Sequence, residues 1–217
     1  MHYQGEPDYK HGSAERLGVL LLNLGTPDAP EAPALRRYLK QFLSDPRVIE
    51  IPKWKWWPIL HGIVLRTRPA KSAEAYRSVW DHHAEGSPLL TIARAQQKGL
   101  QERLSEQMAG PVTVALGMRY GNPSVPSALH ELREAGCRRV VVLPLYPQYA
   151  GATTASTLDA VFDELMHWRW VPELRTINQY HRDPGYLDAL AASIQEHIDA
   201  HGKPDKLIMS YHGEPKR

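Results

Sequence analysis

The sequence predicts an α/β fold built on a doubly wound, mainly parallel sheet. Three observations carry this. Short β-branched runs alternate with longer stretches of helical periodicity, the rhythm of strand and helix in turn. The first run, residues 17–24, is apolar almost throughout, as expected of a parallel strand covered on both faces. Strands separated by helices also need crossover connections, which puts the binding crevice of such a sheet at the strands' carboxyl ends.

Taken in order, the strand at 17–24 ends at Gly25-Thr26-Pro27. Residues 33–44 place Leu35, Tyr38, Leu39 and Phe42 at helical spacing, and Asp45-Pro46 stops them. Helices follow at 70–80 and 88–107. A second strand, 112–118, runs into Arg119-Tyr120-Gly121-Asn122-Pro123, where Asn122 is read as the cap of a helix opening with Pro123. The third strand is 139–145, the next helix 154–166, and the fourth strand 174–178. Asp183-Pro184 caps and opens a helix running to about residue 201, and 206–211 reads as a fifth strand.

Composition narrows the function classes. With 26 basic against 24 acidic side chains and no basic stripe, the chain offers no field for a phosphate backbone, so nucleic acid is not an expected partner. Neither GxGxxG nor a P-loop pattern is present. Cys137 has no second thiol, which excludes an intrachain disulfide framework and a multi-cysteine metal centre, and fits a reducing compartment. Residues 1–16 form a polar tail without the apolar centre of a signal peptide, and no apolar stretch approaches the ~20 residues of a membrane span. A cytoplasmic protein with one domain over 17–217 is expected.

Residues 51–65 stand apart, with Trp54, Trp56, Trp57 and Pro58 among lysines. Two readings are open. Clustered tryptophan beside cations suits a headgroup boundary, giving peripheral membrane contact through Trp54, Trp56 and Trp57; equally, the segment suits a lid packed on its own core.

Four segments follow strands and converge on one edge: residues 23–27, 118–121, 144–149 and 211–215. They supply one imidazole, one guanidinium and several phenols with few carboxylates, a set suited to a large flat apolar ligand. His212 is the strongest catalytic candidate, because Gly213 lets the backbone turn tightly behind it and imidazole titrates near neutrality. Among eleven histidines most are ordinary solvated groups. No HExxH occurs, His82 and His83 point different ways, and His181 belongs to the cap that follows it. Cys137 lies beside Arg138 and Arg139, yet it also opens a strand, where a small apolar residue belongs in the core.

The combination Leu21-Leu22-Asn23-Leu24-Gly25-Thr26-Pro27, Met118-Arg119-Tyr120-Gly121-Asn122-Pro123, Leu143-Pro144-Leu145-Tyr146-Pro147-Gln148-Tyr149 and Ser210-Tyr211-His212-Gly213 closely resembles the ferrochelatases, terminal enzymes of heme synthesis. Arg68-Pro69, Tyr76, Trp80 and Gly86-Ser87-Pro88 extend the likeness. The resemblance implies a chelatase-like, Rossmann-type domain that inserts Fe2+ into a dicarboxylate porphyrin. Iron and porphyrin would be substrates, with no tightly bound cofactor and no iron-sulfur cluster. It implies His212 as proton acceptor, iron ligand or both. It also places Arg119, Tyr120 and Tyr146 on the pocket floor, Leu24 on the ring face, and Arg68, Tyr76 and Ser87 at the porphyrin-binding lip. Residues alone would make Arg68 a solvated cation and Tyr76 a core aromatic.

Two departures accompany the likeness. Glu214 stands where the family more often has an apolar residue, and the sequence stops at Arg217, where the family continues into a second α/β domain. The resemblance therefore leaves two functional expectations, a porphyrin metal chelatase and a porphyrin-binding module that turns over only with a partner half. The sequence does not give an oligomeric state.

Overall fold

A computed structural model describes residues 3–6, 9–80 and 87–213; His82, His83, Gly86 and Glu214 lie outside the described residues. The chain divides into two units, Met1–Gln179 and Tyr180–Arg217. In the first, strands β1 (Arg16–Thr26), β2 (Val112–Gly121), β3 (Cys137–Pro144) and β4 (Glu173–Thr176) form a parallel sheet in the order β2-β1-β3-β4. The expected α/β architecture is present.

Alternation along β1 sets the layers. Leu20 and Leu22 enter one core with Val140 and Val142, covered by α5 (Val125–Glu134) and α6 (Ser156–Leu165). Val19 and Leu21 face the other way, into a core with Val114, Leu116 and Ala93 of α4 (Pro88–Gln107). Each fully buried leucine contributes about 1.5–3 kcal/mol, so β1, apolar on both faces, is the centre of the unit. Cys137 opens β3 inside the first core, its thiol pushed up by burial, as its core reading expects.

The sheet edges are managed differently. Along β2, glutamines of α4 satisfy the free backbone: Gln101 Oε1 accepts from Val114 N at 2.8 Å, its Nε2 donates to Val112 O at 3.2 Å, and Gln97 Nε2 donates to Val114 O at 2.8 Å. Strand β4 is short and charged, another way to leave an edge unattractive to further strands.

Helices α1 (Ala32–Ser44) and α3 (Leu65–Val79) pack against the carboxyl ends of β1 and β2, and α2 (Lys53–Ile59) with a π-turn (Leu60–Val64) packs on the end of α1 and the start of α3. Helix α3 starts five residues earlier than the sequence suggests, because Pro69 is carried inside it rather than marking its start. Asn122 is not the cap of α5. The chain doubles back first, with Met118 N donating to Pro123 O at 2.6 Å, so the helix begins after Ser124, whose hydroxyl accepts from Ser127 N. Asn122 instead donates to Asp28 at 2.8 Å.

The second unit holds α7 (Pro184–His201), capped by Asp183, whose carboxylate accepts from Tyr186 N at 3.2 Å. The expected fifth strand does not form: residues 206–211 carry no ladder among the described residues, and Leu207, Ile208, Met209 and Tyr211 are exposed. An apolar run becomes a strand only when an edge is offered to it, a condition its own residues do not encode.

Candidate functional site

The turn-forming glycines of two sequence motifs meet each other. Gly25 pairs with Tyr120 and Thr26 with Gly121 across the ends of β1 and β2. Gly25 has φ +103°, and a Cβ there would stand 1.8 Å from the Tyr120 carbonyl oxygen; Gly121 has φ +86°, and its Cβ would stand 2.4 Å from Thr26 O. Only glycine fits either position. This close approach fixes Leu24 and Tyr120 in one apolar cluster with Leu35, Tyr38, Phe42 and Tyr76.

Beneath the cluster runs a polar layer centred on Asp45. Its Oδ2 accepts from Arg119 Nη2 at 2.5 Å, Ser156 Oγ at 2.5 Å and Tyr120 OH at 2.8 Å, while Oδ1 accepts from Arg47 N at 2.7 Å. Arg119 Nε donates to Ser156 Oγ at 2.7 Å, and the guanidinium lies 4.8 Å from the Tyr120 ring. Burial pushes the Asp45 carboxyl up, but the donors from Ser156, Arg47 and Tyr120 and the charge of Arg119 outweigh it, and the net displacement is downward. Burial raises Tyr120, helped by Asp45 and opposed by the Ser156 bond, so the phenol stays protonated and donating. Tyr146 follows β3 with its hydroxyl buried; burial raises it too, with Thr157 and the charge of Arg119 acting against that.

The layer therefore gathers Leu24, Tyr76, Arg119 and Tyr120, with Tyr146 within electrostatic reach of Arg119. Tyr120 is 1% exposed and its hydroxyl is fully engaged, so it supports the site from behind, whereas the Arg119 side chain keeps 21% exposure. Arg68 is exposed on α3. Ser87 is the N-cap of α4, its hydroxyl accepting from Leu90 N, and it lines a cavity of about 370 Å³ with Thr26, Asp28 and Asn122. His212 belongs to the second unit, in the exposed irregular segment after α7. Among the described residues, no group of three or more His, Cys, Asp or Glu is arranged to hold a metal ion.

Asp45 and Ser156 are the residues that sequence reasoning missed. Asp45 reads as a helix stop and Ser156 as an ordinary position within a helix, and nothing in their spacing, 111 residues apart, joins them. The one available signal is that Asp45 follows an amphipathic helix directly, so its carboxylate is delivered where the helix's apolar face meets the sheet.

The tryptophan segment divides. Trp56 turns inward, its Nε1 donating to Leu43 O at 2.7 Å. Trp54 is 74% exposed with Lys55 4.9 Å from its ring, and Trp57, stacked on His61, and Ile63 are exposed as well. No helix among the described residues is long and apolar enough to cross a membrane.

The ferrochelatase family model matches residues 16–217. Curated relatives named ferrochelatase include those of Thioalkalivibrio sulfidiphilus, 60% identical over 217 residues, and Hydrogenovibrio crunogenus, 58% identical over 219, each alignment covering 100% of this chain and 58% of the relative. That of Marinobacter nauticus is 51% identical over 215 residues, 99% of this chain and 58% of the relative. The chain thus spans 58% of the length of these relatives. The match begins where β1 begins and takes in every strand end described above, and on that extent the chain belongs to the ferrochelatase family.

Proposed function

We propose that this chain carries the part of a metal-insertion site in which Fe2+ enters a dicarboxylate porphyrin during heme biosynthesis. The reaction exchanges two pyrrole N–H protons for the metal, so the site must accept protons, strip water from the ion and hold a flat apolar ring. The observation that carries the reading is the convergence of Leu24, Arg119 and Tyr120 at one sheet edge, backed by the buried Asp45 and Ser156. Leu24 and Tyr76 offer the ring apolar and aromatic surface. Tyr146, protonated and half-buried, can donate to a departing iron-bound water. His212 acts as the base or as an iron ligand; one imidazole nitrogen cannot do both at once, so the two roles would be sequential. The resemblance assigns Arg68 and Ser87 to the propionates: Arg68 is exposed on α3, and the Ser87 hydroxyl, buried and accepting from Leu90 N, keeps its own proton to donate.

A second reading, a porphyrin-binding half that needs a partner half for turnover, is favoured by the exposed apolar run Leu207, Ile208 and Met209, which forms no strand. Exposed Trp54, Trp57 and Ile63 favour delivery of the porphyrin from a membrane surface to a cytoplasmic, peripherally attached protein.

The test is anaerobic titration of the purified chain with a dicarboxylate porphyrin, then Fe2+ or Zn2+, following the Soret and Q bands. Ring binding with insertion supports the first reading and ring binding alone the second. Absence of both refutes the two together. His212→Ala with an unchanged insertion rate removes His212 from the chemistry.

A further inference from the structure

Arg119 presents a problem to any site that must admit a dication. A guanidinium stays charged at every accessible pH, and this one sits at the carboxyl end of the sheet with its side chain 21% exposed. The structure answers it with one residue. Asp45, whose side chain is only 2% exposed, places a carboxylate oxygen 2.5 Å from Arg119 Nη2. The same oxygen takes the hydroxyls of Ser156 and Tyr120, and Ser156 in turn accepts from Arg119 Nε, so two of the three guanidinium nitrogens are tied to the Asp45 group. The neighbouring cation, Arg47, is bound by its own carboxylate, Asp159, through two hydrogen bonds of 2.7 and 3.0 Å. Positive charge at this corner is therefore matched one for one.

Packing alone does not require this arrangement. A buried ion pair contributes little net stability over neutral groups of the same shape, since desolvation offsets the attraction. Charge cancellation does require it, because a cation that cannot deprotonate is neutralised only by an anion held against it.

We propose that Asp45 is a positioning residue that pins Arg119 and cancels its charge, so that a divalent cation reaches the tyrosine layer unopposed. The inference rests on the metal-insertion reading above and deepens it. An uncompensated cation would repel an incoming dication with twice the force it exerts on a single charge, and would repel it most at low ionic strength.

The test compares the parent chain with Asp45→Asn, Arg119→Gln and the double variant, using Zn2+ and a dicarboxylate porphyrin at low and high salt, with melting curves to establish folding. Asp45→Asn should raise the metal KM at least tenfold at low salt, an effect that shrinks as salt rises, while the porphyrin KM moves less than threefold. Arg119→Gln leaves the carboxylate uncompensated and should lower the metal KM. The double variant should return close to the parent value. This pattern of opposite signs is not produced by a purely structural role. If Asp45→Asn does not fold, the ordering of Arg119→Gln below the double variant still decides. A parent that inserts metal while the metal KM stays flat across the variants overturns this inference alone. A parent that binds porphyrin without inserting metal, or does neither, overturns the metal-insertion reading and this inference with it.

Discussion

Substituting Gly25 by alanine separates two costs that the strand-end turn combines. The first is backbone strain, since φ +103° is unfavourable for any residue with a Cβ and costs about 1–3 kcal/mol. The second is collision: the new Cβ would stand 1.8 Å from the Tyr120 carbonyl oxygen and 2.8 Å from its carbon, both backbone atoms, so β2 itself must give way. Overpacking of this kind adds about 1–3 kcal/mol, for a total near 4 kcal/mol and a melting temperature lower by roughly 10 °C at this chain length. Gly136→Ala is the matched control. It shares the positive φ, +77°, but among the described residues nothing lies within 4 Å of its Cβ, so it bears strain alone, about 1–2 kcal/mol. Urea midpoints followed by tryptophan fluorescence measure both. Equal destabilisation by the two substitutions would refute the argument that close approach of β1 and β2 is what demands glycine at position 25.

Gln101→Ala removes two hydrogen bonds to the outer edge of β2 and leaves Val114 N and Val112 O to solvent; a loss of about 1–3 kcal/mol in urea titration is expected. The Asp45 carboxyl is lowered in the folded state, so its stabilising contribution is fully present above the ordinary carboxylate value of ~3.9 and is lost only as pH falls through the lowered value; melting curves of Asp45→Asn should lack that part of the acid limb. Cys137, 3% exposed and raised by burial, should react with a thiol reagent at pH 8 only after denaturant is added. Trp54→Ser should reduce sedimentation with anionic vesicles while leaving the melting temperature unchanged, because Trp54 is 74% exposed; unchanged vesicle binding would remove this face from the membrane reading.

What could be read from the residues was whatever a local period or a short motif encodes. Residues 88–107 announce a helix through their own spacing, and the helix occupies those bounds. The glycines at 25 and 121 announce turns, but that they need each other follows only from the register that pairs Gly25 with Tyr120 and Thr26 with Gly121. Residues 206–211 show the converse failure: their apolar character is real, but strand formation depends on a partner edge.

The candidate site divides along the same line. Arg119 and Tyr120 were legible because they occupy a strand end, where topology alone converts position in sequence into position in space. Asp45 was not, since it owes its role to α1 packing on β2 and delivering its terminus to Arg119 of β2 and Ser156 of α6. Its position says only that a helix ends there. A residue that balances a charge is recognised by what it balances, and the partner here lies 74 positions away. The chemistry of this edge is accordingly divided between a strand end that the motif displays and a compensating carboxylate that only the packing of α1, β2 and α6 brings to it.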